Sequence, residues 1–348
     1  MSKFLYRLLA LIILTGAVGG GWLWHDYRQF LQRPMTDQAL TYELEPGANL
    51  TRVARDLARR GLLDKPRYWL LHARLEGNAD HIGAGEYEIR AGTTPAQFYR
   101  QLVEGKVVQH ALTIVEGWTF RQMMAALNAQ PQIRHTLGGA SDAQIMAAIG
   151  HPGEHPEGRF LPDTWHFPRG MSDVDFLRRA YDAMQDYLMQ EWQGRATGLP
   201  LKTPYEALIL ASIVEKETGL ASERAAIAGV FIRRLQKRIR LQTDPTVIYG
   251  MGERYHGNIR RGDLQRDTPY NTYRRHGLPP TPIALPGRAA IHAALHPAPG
   301  EALYFVARGD GSHHFSATLA EHNRAVIKYQ LKGRKRSFSS FRAGGEGK

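Results

Sequence analysis

The chain has 348 residues, 43% of them hydrophobic and 22% charged, with a formal net charge of +12. That length holds one large domain or two to three smaller ones, and the composition excludes a fibrous or wholly disordered protein. The absence of cysteine excludes disulfides and thiolate metal sites. A basic balance favours polyanionic surroundings such as nucleic acid, anionic headgroups or acidic wall polymers. No zinc-ligand pattern, aromatic RNA-binding signature or basic recognition helix accompanies it.

Leu8 to Trp24 form an uncharged apolar run, preceded by Lys3 and Arg7. With Phe4 to Tyr6 included it approaches the roughly 20 residues that a bilayer requires. Trp22 and Trp24 suit one interface, and Lys3 and Arg7 favour a cytoplasmic N-terminus with the rest of the chain exported. The alternative is a cleaved signal peptide ending at Ala17-Val18-Gly19. Continuation of the apolar run through Leu23 and Trp24 favours an uncleaved anchor, assigned to residues 1–25. Residues 26–40 read as a polar, irregular linker.

A small α+β module follows over residues 41–110. Tyr42 to Leu44 alternate as a strand, Pro46-Gly47 turn the chain, and Asn49 caps a helix with Leu50, Val53, Ala54 and Leu57 on one face. Gly61 stops it, and Pro66 to Glu76 form a second helix. Gly85 to Arg90 then alternate as a strand, and Thr94-Pro95 open a helix that Gly105 ends. The repeated strand–turn–helix pattern fits an ordinary α+β domain, and it also resembles a LysM-like glycan-binding module.

Residues 111–335 make up a larger mixed α+β domain, and 336–348 a basic, flexible tail. A helix is expected from about Asp175 to Gln190, capped by Ser172 or Asp173. The aromatic segment Glu157 to Phe167 suits either a sugar-lining loop or a core plug. Thr203 and Glu206 form a capping-box pattern, Pro204 fits the first helical position and Gly219 the position past the end. The helix between them is apolar nearly all round and therefore buried, yet its last turn carries Glu215, Lys216 and Glu217. Residues two apart lie about 200° apart around a helix, so the two glutamates face opposite ways. At the C-terminal end of a buried helix, the dipole and the apolar surroundings both raise a carboxyl pKa. A glutamate there is suited to give a proton to a leaving oxygen; the plainer reading leaves both glutamates in solvent.

Ser222 is expected to cap the next helix. Its candidate buried residues are Ala225, Ile227, Ala228, Val230, Phe231 and Leu235, and Arg233, Arg234, Lys237, Arg238 and Arg240 supply basic surface. Gln242, Thr243 and Asp244 precede Pro245 in a turn. Six prolines between Pro269 and Pro297 restrict a long loop. Leu303 to Val306 and His314 to Ser316 form a hairpin about Gly309-Asp310-Gly311, and Glu321-His322-Asn323 lie on a closing helix.

Several of these segments together resemble the MltG-like (YceG-like) family. They are Ala211 to Thr218, Ser222-Glu223-Arg224, Leu241 to Gly250, Tyr270 to Tyr273, Gly277 to Pro280, Pro286-Gly287, His296-Pro297 and Tyr304 to Val306, with Glu157-Gly158 and Pro162 to Thr164 upstream. The resemblance implies an endolytic lytic transglycosylase, anchored in the inner membrane with its catalytic domain in the periplasm. It would cut the β-1,4 bond between N-acetylmuramic acid and N-acetylglucosamine within peptidoglycan strands and leave 1,6-anhydromuramyl ends. It also implies that Glu217 is the catalytic acid, that no metal or organic cofactor is required, and that the enzyme ends strand growth beside peptidoglycan synthases. The candidate substrate contacts are Glu223, Gln242, Thr243, Asp244 and Tyr249, then Asn271, Tyr273 and His314. Arg233 departs from the family's usual Asn, and Arg238-Ile239 from its frequent Gly-Met. Three competing functions are a non-catalytic wall-binding scaffold, a hydrolase using Asp244 or Glu223 as a second carboxylate, and nucleic-acid binding, which an export signal disfavours.

Overall fold

A computed structural model describes residues 2–45, 47–77 and 82–331. Residues 332–348, which include the expected tail 336–348, and Pro46 of the expected turn lie outside the described residues. Two units emerge, one of residues 1–110 with 166–171 and one of the remainder.

Helix α1 runs from Ser2 to Gln32, and its stretch Phe4–Gln32 is long and apolar enough to cross a membrane. The apolar side chains from Phe4 to Trp24 are exposed, whereas Tyr27 and Phe30 are buried. Residues 26–32, expected to be an irregular linker, therefore continue this helix. Tertiary contacts supply the reason: the Asp26 carboxylate accepts from Lys65 Nζ at 2.5 Å and Tyr68 Oη at 3.0 Å, and Phe30 meets the edge of Tyr68.

Strand β1 (Leu40–Leu44) follows, then α2 (Leu50–Arg59), α3 (Pro66–Glu76), β2 (Gly85–Ile89) and α4 (Pro95–Val103). β1 and β2 pair antiparallel from Leu40↔Ile89 to Leu44↔Gly85. Asn49 accepts from Arg52 N at 2.9 Å to open α2, and Thr94 with Gln97 closes a capping box on α4. Between them lies a core of Leu57, Trp69, Tyr87, Ile89, Phe98 and Leu102. The buried Trp69 indole donates to Pro95 O at 2.9 Å, so its one polar atom is satisfied.

The chain passes between the units within β3 (Gln109–Thr113), continues through α5 (Phe120–Asn128) and α6 (Asp142–Ala148), and passes again within β4 (Thr164–Pro168), which pairs with β3. In the segment from Glu157 to Phe167, Phe160 and Leu161 are fully buried and Phe160 stacks on Phe120. Of the two expectations for that segment, the core plug is what this packing matches. Helix α7 (Asp173–Gln193) is capped by Ser172, which accepts from Asp175 N at 3.0 Å. Asp173 instead accepts from Thr136 N at 2.7 Å and Leu137 N at 2.9 Å, tying down the preceding loop.

Helix α8 (Pro204–Glu217) is the centre of this unit: every residue from Ala207 to Val214 is buried. Thr203 Oγ1 caps it by accepting from Glu206 N at 3.2 Å, but the Glu206 carboxylate accepts from Lys202 N rather than returning to Thr203. The helix ends on an extended Thr218 (φ −146°, ψ 133°), and Gly219 does not take the left-handed conformation expected of a C-terminal glycine.

A single 3₁₀ turn, Ala221–Glu223, leads into α9 (Arg224–Gln236), and Ser222 caps nothing. Then come α10 (Asp244–Met251), α11 (Arg261–Gln265), α12 (Arg288–Leu295), the antiparallel hairpin β5 (Tyr304–Ala307) and β6 (His313–Ser316), and α13 (Leu319–Tyr329). Helices α7, α9, α10 and α12 pack around α8. The proline-rich loop 266–287 is buried from Thr281 to Gly287. Its backbone is satisfied by Ser212 Oγ, which accepts from Ile283 N at 3.0 Å, and by Trp118 O, which accepts from Leu285 N at 2.7 Å.

Gly158 shows how tightly this loop is received: its φ is +79°, and a methyl group there would overlap the Pro282 ring. Both the left-handed conformation and the overlap penalise a side chain. Gly158→Ala is expected to lower stability by roughly 2–5 kcal/mol, the sum of those two costs. Chemical denaturation of the two proteins side by side checks this; equal midpoints would refute it.

Candidate active site

The last turn of α8 carries Glu215 and Glu217 on opposite sides. The Glu215 side chain is 7% exposed; its carboxylate accepts from Gly287 N at 3.0 Å and lies 3.5 Å from the Arg224 guanidinium. Burial holds its pKa above the ordinary carboxyl value. It is tied to the proline-rich loop and does not line the cleft.

Glu217 lines a cleft of about 810 Å³. Its carboxylate oxygen Oε1 accepts from Thr243 Oγ1 in a short contact. Loss of hydration pushes the Glu217 pKa up to about 7, and the Asp244 carboxylate adds to that rise. The Thr243 hydroxyl opposes it, as do the positive charges of His313 and Arg234. The acid is thus divided between protonated and ionised forms near neutrality, the condition in which one carboxyl group can both give and take a proton.

The cleft wall opposite α8 comes from the turn before α10. Gln242 adopts φ 51°, an uncommon conformation for a residue with a side chain, and Arg238 at φ 54° is the other such residue among those described. Gln242 N donates to Thr272 O at 3.2 Å, and Thr243 N to Thr272 Oγ1 at 3.1 Å. These bonds pin the turn to the loop and set the Thr243 hydroxyl against Glu217. Asp244 accepts from Tyr273 Oη at 2.6 Å, and both line the cleft. Burial and the Asp244 charge hold the Tyr273 phenol protonated.

Arg234 sits beneath. Expected as basic surface, it is only 7% exposed. It donates to Leu303 O at 2.6 Å, Leu241 O at 2.8 Å and Arg240 O at 3.1 Å. A buried guanidinium needs such acceptors, and here they join the α9–α10 connection to the start of β5. Its position seven residues after Ile227, on the apolar face of α9, is the signal that it faces inward. Arg233, the family departure, donates to Ala302 O at 2.7 Å and Ala298 O at 3.1 Å.

Glu223 does not reach the cleft as a free carboxylate. It accepts from both His313 N at 2.9 Å and His313 Nδ1 at 2.7 Å, so one carboxylate clamps both N–H groups of that residue. His313 lines the cleft, and its Nε2 is the ring atom left free of the clamp. His313 therefore takes the place expected for His314. Neighbours on a strand face opposite sides, and His314 turns to the Tyr329 ring on α13. Nothing in local sequence distinguishes the two histidines; the hairpin register does.

Two other expected contacts serve the scaffold. Tyr249 donates to the buried Glu157 at 3.0 Å, and desolvation pushes that carboxyl to about 7. Asn271 is 1% exposed and its Nδ2 donates to Asp263 O, Leu264 O and Arg266 O, which shapes the loop. Of the expected residues, Glu217, Gln242, Asp244 and Tyr273 line the cleft, Thr243 braces Glu217, and Glu223 holds His313.

An open polar cleft with a carboxyl group held near its titration point suits acid catalysis on a bulky substrate. The chain matches the model of the YceG-like family over residues 42–328, and it belongs to that family. It is 27% identical to the endolytic murein transglycosylase of Bacillus subtilis over 332 residues, covering 90% of this chain and 91% of that one. It is 24% identical to the endolytic murein transglycosylase of Streptococcus pneumoniae strain D39 over 94% of this chain, and spans 65% of that longer protein. Among solved structures, a YceG-like protein from Listeria monocytogenes superposes with a TM-score of 0.52 at 29% identity, covering 83% of this chain and 99% of that one.

The raised pKa of Glu217 has a thermodynamic sign. The folded protein keeps a proton at about 7 that the unfolded chain gives up near 4.5, so folding stability falls as pH rises through that window. Glu217→Gln lacks the effect. Its stability relative to the parent is expected to improve by roughly 2–3 kcal/mol between pH 5 and pH 8. Denaturant titrations at the two pH values test this, and a pH-independent difference would contradict it.

Proposed function

We propose that this chain is an endolytic murein transglycosylase whose catalytic acid is Glu217. The setting of Glu217, desolvated at the wall of the large cleft and braced by Thr243, carries the reading. The names borne by the Bacillus and Streptococcus relatives support the substrate class.

The reaction needs one carboxyl group in two roles. Protonated Glu217 gives its proton to the glycosidic oxygen as the β-1,4 bond between N-acetylmuramic acid and N-acetylglucosamine breaks. The resulting carboxylate takes the proton of the muramyl C6 hydroxyl, whose oxygen attacks C1 of the same sugar. The product is a 1,6-anhydromuramyl end, and Glu217 is protonated again. Because the nucleophile belongs to the substrate, no second catalytic carboxylate is called for. His313, fixed by Glu223, and Tyr273, fixed by Asp244, are polar groups of set orientation for sugar hydroxyls.

In this reading α1 is a single-pass inner-membrane anchor, with Lys3 and Arg7 on the cytoplasmic side and the cleft in the periplasm. The antiparallel pair β1–β2 with α2 and α3 between its strands supports a LysM-like, glycan-binding role for the first unit. Cutting within nascent strands would end their elongation beside peptidoglycan synthases. A hydrolase is the second reading, because Asp244 lines the same cleft as Glu217 and could serve a water molecule.

Mass spectrometry of peptidoglycan digested by the full chain separates the two. Anhydro-ended fragments, lost by at least about 100-fold in Glu217→Gln, are the expected result. Products carrying added water would turn the assignment to hydrolysis, and undiminished cleavage by the variant would remove Glu217 from the reaction.

The pH profile gives a separate check. Since the protonated acid is the active form, kcat/KM is expected to decline above about pH 7. The Thr243 hydroxyl stabilises the carboxylate, so Thr243→Val should move that decline to higher pH. A decline that stays in place or moves down would show that Thr243 does not tune the acid.

A further inference from the structure

Away from the cleft, three side chains converge between two helices. Glu191 lies in the last turn of α7, His292 in the last turn of α12, and His296 just past its end. The same carboxylate oxygen, Glu191 Oε2, lies 2.8 Å from His292 Nδ1 and 3.5 Å from His296 Nε2. Donor atoms of all three residues fall within 4.8 Å of one another. We propose that Glu191, His292 and His296 form a binding site for a borderline divalent cation, zinc in the first instance, which fastens α7 to α12.

Four observations support the site. One imidazole from the last turn of α12 and one from the residue just past its end meet a carboxylate from α7, which makes a His₂Glu set. A tetrahedral ion at about 2.1 Å from each ligand holds its donors about 3.4 Å apart, and the two measured separations, 2.8 and 3.5 Å, bracket that value. The third separation, between the two imidazole nitrogens, lies within 4.8 Å, so closing the set around an ion asks for side-chain rotation rather than backbone movement. Both helices also direct their C-terminal ends at the cluster, and the negative end of a helix dipole favours a cation. Finally, the Glu191 side chain is 15% exposed while that of His292 is 58% exposed, so an ion would meet a held carboxylate yet keep an open path and a water as fourth ligand. A direct hydrogen bond joins His292 to Glu191, and the His296 ring stacks on that of His292 with centroids 4.3 Å apart, so both imidazoles are already gathered at the carboxylate.

None of the three residues lines the cleft, so the ion would not take part in the chemistry assigned to Glu217. Its effect would be mechanical. Both α7 and α12 pack on α8, the helix that ends in Glu217. A ligand bound only by the folded protein stabilises it in proportion to its occupancy.

The test uses the full chain in detergent micelles, stripped of metal and dialysed against Zn²⁺ alone. One equivalent is expected to bind with a Kd in the micromolar range or tighter and to raise Tm by several degrees. Co²⁺ in its place should give the visible absorption of a tetrahedral nitrogen and oxygen site. Binding should weaken as the solution is acidified, because protons compete with the ion for its ligands. His292→Asn and Glu191→Gln should each weaken binding at least tenfold, while His135→Asn, at an exposed histidine elsewhere, should not. The metal-free Tm of His292→Asn should match the parent, so that loss of binding is not loss of fold. Substoichiometric binding would overturn the proposal. So would binding that survives in His292→Asn and Glu191→Gln, or a Tm that does not respond to Zn²⁺. Each of these readouts is independent of glycan cleavage, so the site and the enzymatic reading fail separately.

Discussion

A carboxyl group at the end of a helix that has no solvent-facing side imposes the main constraint on the larger unit. Eight consecutive residues of α8, Ala207 to Val214, are buried, so neighbouring elements must close over the helix on every side. Burial of that length brings Glu217 into a poorly hydrated place, where ionisation is costly. The Thr243 hydroxyl and the nearby positive groups moderate that cost without abolishing it. The outcome is an acid near its titration point at neutral pH, and the packing of the unit serves to hold it there.

The cleft wall facing Glu217 depends on a second buried charge. Arg234 spends its donors on backbone carbonyls of the α9–α10 connection and of Leu303. It thereby fixes the turn from which Gln242, Thr243 and Asp244 project. The left-handed backbone at Gln242 is held by the same network and by the Thr272 backbone and hydroxyl. The Glu223–His313 clamp repeats this logic on the hairpin: a charged group is buried against two N–H donors, and one ring atom is left for the cleft. Polar groups enclosed in this way keep a set orientation, because any other leaves a donor or acceptor unpaired.

Local patterns in the sequence were read well where local physics decides. The caps at Asn49, Thr94, Ser172 and Thr203, the apolar circumference of α8 and the opposed directions of Glu215 and Glu217 follow from residue type and helical period. Local rules misled where a distant partner outcompeted them. Residues 26–32 are helical because Tyr27 and Phe30 find a buried surface on α3. Gly219 is not left-handed because Thr218 ends α8 in an extended conformation. Ser222 does not cap because a 3₁₀ turn precedes α9.

The sequence alone settled the apolar N-terminal segment, the buried helix ending in an acid, and the family whose motifs surround that acid, since each is written in contiguous residues. Only the tertiary structure decided which side chains meet Glu217. It chose His313 over His314 through the register of β5 and β6, and it assigned Tyr249 and Asn271 to the scaffold. It turned Arg234 inward, and it brought Glu191 to histidines about a hundred residues later in the chain. Such meetings depend on the three-dimensional closure of distant segments, and no periodicity within one segment encodes the partner supplied by another.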